Sequence, residues 1–104
     1  MEMVAFKMKL KAGNEEEYFR RHQEIWPALK DLLTKNGIYD YAIFLNPETL
    51  DLFAVQKRQE HYDQNELINS AIMKEWWLYM RDLMDTNLDN SPVSLPLKQV
   101  FYLP

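Results

Sequence analysis

Twice along this chain the apolar residues switch from a spacing of two to a spacing of three and four, and the order of those switches leaves few folds open. Val4–Lys11 alternates, with Val4, Phe6, Met8 and Leu10 on one side and Ala5, Lys7 and Lys9 on the other, the period of a strand. Gly13-Asn14 ends it. Asn14 is placed to cap a helix, with Glu17 three residues on to complete a capping box and Glu15–Glu17 set against the positive end of the helix dipole. The helical spacing then runs to Asn36-Gly37, where Gly37 suits a left-handed stop. Pro27 lies within it and lacks a backbone donor, which predicts a kink or a restart near Gln23–Trp26. Ile38–Leu45 and Leu52–Lys57 are rich in aromatic and β-branched residues. A turn-forming stretch through Asn46-Pro47-Glu48-Thr49 joins them as a hairpin with a longer than minimal loop. From Glu60 the spacing is helical again, and Met73, Trp76, Trp77, Met80, Leu83 and Met84 repeat at three- and four-residue intervals. Thr86–Pro96 is a polar, proline-punctuated connection, and Leu97–Leu103 alternates as a last strand.

The order β-α-β-β-α-β within 104 residues, with no linker and no repeat, predicts one α+β domain over residues 1–104. Its expected form is a ferredoxin-like sandwich with helices on one face of the sheet. In the third strand Leu52 and Ala54 alternate with Phe53 and Val55, so both faces are apolar. A two-sided apolar sheet with one helical cover needs a second cover. A homodimer of the dimeric α/β barrel type, packed through the free faces or through exchanged C-terminal segments, is the simplest answer.

Composition removes several function classes. A formal charge of −4 argues against nucleic acid and anionic membranes as partners. There is no cysteine, and therefore no disulfide framework, thiolate metal site or cysteine nucleophile. No apolar run approaches the roughly 20 residues that span a bilayer, and MEMVAFKMKLK lacks the pattern of a signal peptide, so a cytoplasmic location is expected. Gly13 and Gly37 are the only glycines, too few for a phosphate loop. Ser70, Ser91 and Ser94 sit in no nucleophile elbow. His22 and His61 are far apart and lack tight carboxylate spacing, so no metal site is expected. The same strand and helix order occurs in RNA-recognition domains, but Leu52–Lys57 offers one phenylalanine in an acidic chain, and RNA binding fails.

The residue that stands out is His22. On a helical wheel Tyr18, Ile25, Leu29, Leu32 and Leu33 form an apolar stripe, with Arg20, Gln23, Glu24 and Lys30 opposite, and His22 falls in the middle of the stripe. A lone histidine there ordinarily serves as a hydrogen-bonded core residue. Tyr18, one turn earlier on the same face, adds a second polar tip, and two such groups need partners or a solvent-filled pocket. Trp76 and Trp77 are adjacent, so their rings lie about 100° apart on a helix; either both pack in the core or one lines a cavity. Tyr39 and Tyr41 are expected on one face of the second strand with Ile43 and Leu45, and His61, in a polar run, is expected to be solvated. What remains is an aromatic-walled pocket with one histidine, suited to proton transfer on a small neutral ligand. Sugars fit such walls, because their C–H faces stack on rings while their hydroxyls bond to polar tips.

Several segments then align with one family. Glu17-Tyr18-Phe19-Arg20-Arg21-His22, Ile25-Trp26-Pro27, Tyr41-Ala42-Ile43, Trp76-Trp77, Asp89-Asn90-Ser91-Pro92-Val93 and the terminal Val100-Phe101-Tyr102-Leu103-Pro104 resemble the L-rhamnose mutarotases, in the same order and over nearly the whole chain. The resemblance implies a cytoplasmic, cofactor-free homodimer of ferredoxin-like subunits. It also implies His22 as proton donor and Tyr18, Tyr41, Trp76 and Trp77 as residues that bind the sugar, L-rhamnose. Asp40 stands where the family can carry asparagine, and Gln56–Lys74 matches no family motif. An imidazole with an ordinary pKa of ~6.5 can deliver or remove the protons that anomer exchange requires near neutrality. Dimeric ferredoxin-like domains also include cofactor-free monooxygenases and haem-degrading enzymes that use a helix histidine and a tryptophan. A plain ligand-binding module is a third class. Haem degradation would give a coloured complex with haemin, and a binding module would bind rhamnose without speeding anomer exchange.

Overall fold

In the computed structural model, which describes residues 1–104, the N-terminal alternation becomes β1 (Glu2–Lys9). The first helical region is two helices, α1 (Glu15–Gln23) and α2 (Pro27–Lys35). Pro27 takes the first position of α2, where its missing N–H costs nothing, so the predicted restart is a clean break across Glu24–Trp26. The hairpin follows as β2 (Ile38–Leu45) and β3 (Asp51–Arg58). The second helical region is also divided, into α3 (Gln64–Ile68) and α4 (Ala71–Met80), and β4 (Leu95–Leu97) closes the order. The four strands form one sheet, β2-β3-β1-β4, with every neighbouring pair antiparallel. This is the expected ferredoxin-like arrangement.

The core lies between the helices and one sheet face. Met8, Leu10, Leu52 and Ala54 meet Tyr18 and Leu29 of α1 and α2 and Trp76 and Met80 of α4. Leu83 and Met84, expected on the last helix, lie beyond its end but are buried in the same core, and Met84 pairs with Leu10. Asn36, 2% exposed, exchanges two 3.0 Å hydrogen bonds with the backbone of Asp63 and ties the end of α2 to the approach of α3. Gly37 follows with φ +85°, the left-handed stop its sequence position suggests.

Four further expectations need correction. The capping box does not form: Asn14 makes no side-chain bond to the helix, and Glu17 is drawn one turn forward to Arg20 and Arg21. The last strand is Leu95–Leu97 rather than Leu97–Leu103. Leu97 pairs with Ala5 near the start of β1, so little strand remains for the following residues to pair with. Tyr39 and Tyr41 do not share a face. A β-bulge sets Asp40 and Tyr41 against the single residue Gln56, with Asp40 at φ 47°, so Tyr39 joins Lys57 on the far side while Tyr41 stays on the helical side. His61, although exposed, is not simply solvated, because its Nε2–H donates to the last-turn carbonyl of Lys35 at 3.0 Å.

The other sheet face has no helix on it. Phe44, Phe53, Lys7 and Leu95 form one row across the four strands, and Ala42, Val55, Ala5 and Leu97 form the next. Phe44 is 64% exposed and Leu95 is 56% exposed.

Candidate active site

A cleft of about 710 Å³ opens between the helical layer and the sheet. Tyr18 and His22 enter it from α1, Tyr41 from β2, Gln56 and Arg58 from β3, and Trp76 from α4. The i, i+4 spacing of Tyr18 and His22 stacks their rings, with centroids 4.3 Å apart and a 33° tilt. The His22 ring meets Trp76 edge-on at 5.6 Å. Behind it Trp26, in the break between α1 and α2, meets Trp76 edge-on at 5.0 Å and stacks on Tyr79 at 5.4 Å. The Arg21 guanidinium covers the Tyr79 ring at 4.2 Å and pairs with Glu17 and Asp82. The histidine is therefore held by an aromatic wall that joins α1 to α4.

His22 Nδ1 lies 3.0 Å from the backbone carbonyl of Tyr18, which can only accept, so Nδ1 carries the hydrogen and Nε2 is left free. Burial pulls the His22 pKa below its ordinary value, with the bond to the Tyr18 carbonyl pulling the other way. The imidazole is accordingly neutral at pH 7. Burial drives the Tyr18 phenol well above the usual tyrosine range, with the nearby Tyr41 adding to it. Tyr41 is 40% exposed as a whole residue, but its hydroxyl end is enclosed, and burial pushes its pKa up to about 12 against the opposing pull of Arg58. Both phenols stay protonated and offer a neutral donor and acceptor each.

Of the residues singled out in the sequence, Tyr18, His22, Tyr41 and Trp76 share this cleft. Trp77 does not line it; half-buried, it packs against the core. The Asp89-Asn90-Ser91-Pro92 stretch is ordered by its own bonds, such as Asn87 N–H to Ser91 O at 2.8 Å, and it too lies away from the cleft lining. Sequence reasoning missed Gln56, Arg58 and Tyr62. The signal was the continuation of the Leu52, Ala54 alternation into Gln56 and Arg58, two polar residues on a face that should be apolar.

No group of histidines and carboxylates is arranged to hold a metal ion. A histidine with one free ring nitrogen, two neutral phenols and an indole wall can bind a neutral polyol and move a proton on it.

The chain matches the family model described as L-rhamnose mutarotase over residues 3–103. A curated relative named L-rhamnose mutarotase from Formosa agariphila is 50% identical over 103 residues, 99% of each chain. Another of that name, from Bacteroides thetaiotaomicron, is 52% identical over 103 residues, again 99% of each. The crystal structure of an L-rhamnose mutarotase from Formosa agariphila covers 100% of both chains with a TM-score of 0.93 at 49% identity. With fold, length and motifs in register, this chain belongs to the L-rhamnose mutarotase family.

Proposed function

We propose that this protein is an isomerase that interconverts the α and β anomers of L-rhamnose, with His22 as the proton-transfer group. The observation that carries this reading is the pinned imidazole: Nδ1–H is held by the Tyr18 carbonyl, and the ring faces a cleft shared with Tyr18, Tyr41 and Trp76. The anomeric hydroxyl and the ring oxygen sit on one carbon, so a single free Nε2 can serve both. It takes the proton from the anomeric hydroxyl. The C1–O5 bond breaks as the carbonyl forms, and the imidazolium donates the proton to O5. Rotation about C1–C2 presents the other face, and the same steps in reverse close the ring with the imidazole again neutral. Positioned proton transfer of this kind contributes about 10²–10⁴-fold, and the step balances without a cofactor.

Tyr18 and Tyr41 bond sugar hydroxyls, while Trp76 gives the C–H face and the 6-methyl group an apolar wall. Trp77, the other tryptophan that the family resemblance implies for the sugar, adjoins Trp76 in α4 but stays outside the lining of this cleft. The working unit is a cytoplasmic homodimer of single-domain subunits over residues 1–104, paired through the apolar sheet face. No helix in the chain is long and apolar enough to cross a membrane.

Saturation-transfer NMR on the anomeric protons of L-rhamnose tests the reaction directly. The expected result is faster exchange with protein than without, and a loss of about 10² or more in His22→Ala that keeps the wild-type circular dichroism. An inactive wild-type protein overturns the assignment. A His22→Ala variant that is folded and fully active moves the chemistry elsewhere.

A further inference from the structure

Lys7, Arg21, Lys57 and Arg58 are the half-buried lysines and arginines of the chain. Lys7 pairs with Asp51, Arg21 with Glu17 and Asp82, and Lys57 with Asp40. Arg58 has no carboxylate. Its Nε–H donates to the side-chain oxygen of Gln56 at 2.7 Å, and its guanidinium lies 4.2 Å over the ring of Tyr62. Gln56 is itself 3% exposed, a buried amide on the sheet face where Leu52 and Ala54 pack. The plane of the guanidinium is thus set by one hydrogen bond and one ring, and the donors on its two terminal nitrogens have no protein acceptor. Arg58 and Tyr62 also border a second cavity of about 590 Å³ at the β1–β4 edge, so they stand as a partition at one end of the cleft that contains His22.

A half-buried guanidinium without a counter-charge is costly unless its donors are satisfied when the site is in use. A carboxylate partner would cancel its field and occupy its fork. A sugar instead offers hydroxyl oxygens on adjacent carbons, whose spacing suits the rigid fork, and it brings no charge. We propose that Arg58, oriented by Gln56 and Tyr62, is a further sugar-binding residue, donating from its terminal nitrogens to hydroxyl oxygens of the substrate. The proposal rests on the mutarotase reading and adds to it a charged donor beside the neutral ones of Tyr18 and Tyr41. Tyr41 bridges the two halves, since its phenol is close enough to both Tyr18 and Arg58 to feel or exert a shift.

The test compares the kinetics of anomer exchange on L-rhamnose for wild type, Arg58→Met, Arg58→Lys, Gln56→Met and the Gln56→Met/Arg58→Met pair. Loss of a charge-assisted donor raises KM about 10- to 100-fold in Arg58→Met, with kcat changed less than about threefold. Arg58→Lys keeps the charge without the fork and recovers part of the loss. Gln56→Met raises KM by a smaller factor and adds nothing in the Arg58→Met background, because it acts only through Arg58. A folded Arg58→Met with the wild-type KM overturns the proposal. So do KM effects of Gln56→Met and Arg58→Met that multiply. Should Arg58→Met fail to fold, Arg58→Lys decides alone, and a wild-type KM there overturns it. A wild-type protein with no exchange activity instead overturns the mutarotase reading beneath it.

Discussion

Burial lowers the His22 pKa while the Tyr18 carbonyl holds Nδ1–H, so the free Nε2 carries a lone pair at neutral pH. If turnover begins with that lone pair, kcat/KM is flat above an ordinary histidine pKa of ~6.5 and falls on the acid side, with an apparent pKa below 6.5. A profile that rises toward acid shows that the imidazolium starts the reaction. Stability moves with the same group. In the unfolded chain His22 binds its proton near the ordinary value, and in the folded chain only at lower pH. The unfolded state therefore holds more protons as pH drops through that window. The contribution of His22 to stability is complete above about 6.5 and is lost as pH falls through the folded pKa. An NMR titration of the two histidines, assigned through His22→Ala, checks both statements. Tyr18 and His22 were legible in the sequence because each is a polar tip on an apolar stripe, a conflict visible from one helix alone. Arg58 was not, because nothing local says that it lacks a carboxylate. That follows only from which chain segments β3 packs against.

Among the elements, the most readable feature was the break at Pro27 and the least readable was the bulge in β2. Proline acts on its own backbone and its neighbours, so its effect is local and its position predicts it. The bulge turns on Asp40 at φ 47° and on the pairing of Asp40 with Lys57 at 3.2 Å across strands, and the alternation of Tyr39 and Tyr41 gave no hint of it. Without that extra residue, a single register would run from Ile43 to Ile38, and Tyr41 and Tyr39 would crowd one face. The capping box failed for a related reason, since Glu17 had two arginines within a helical turn competing for it. Their pull holds its carboxyl near a pKa of about 2. The α1–α2 break itself is held by Trp26 against Trp76 and Tyr79 rather than by Pro27. Trp26→Ala is therefore expected to cost about 2–4 kcal/mol and to loosen His22 through Trp76. Pro27→Ala costs no more than about 1 kcal/mol, because alanine also suits the first helical position. Urea denaturation of the two variants at matched m-values separates them, and equal losses would place the stability of the break in the proline.

For the molecule as a whole, the helices cover one sheet face and leave two rows of side chains, from Phe44 to Leu95 and from Ala42 to Leu97, on the other. The C-terminal residues run onto that same side. Gln99 reaches Met3 at 3.8 Å, and Tyr102 lies close enough to Lys57 to help hold its pKa up, behind the larger effect of Asp40. Yet Val100, Phe101 and Leu103 are 90%, 76% and 80% exposed, an apolar run that water does not favour. Sequence polarity alone announced both features, since Phe53, Val55 and the last residues are apolar wherever they are placed. A second copy of the chain, set on the free face, would cover sheet and tail together. The wild-type protein is expected to sediment as a dimer. Deleting Phe101–Pro104 removes the most exposed part of that contact without touching the core, so the helices and sheet should persist by circular dichroism. If the tail is part of the contact between two copies and activity needs that contact, the truncated chain sediments as a monomer and exchanges rhamnose anomers poorly. A truncated protein that remains a stable and fully active dimer would remove the tail from the interface and leave the two sheet rows to hold it alone.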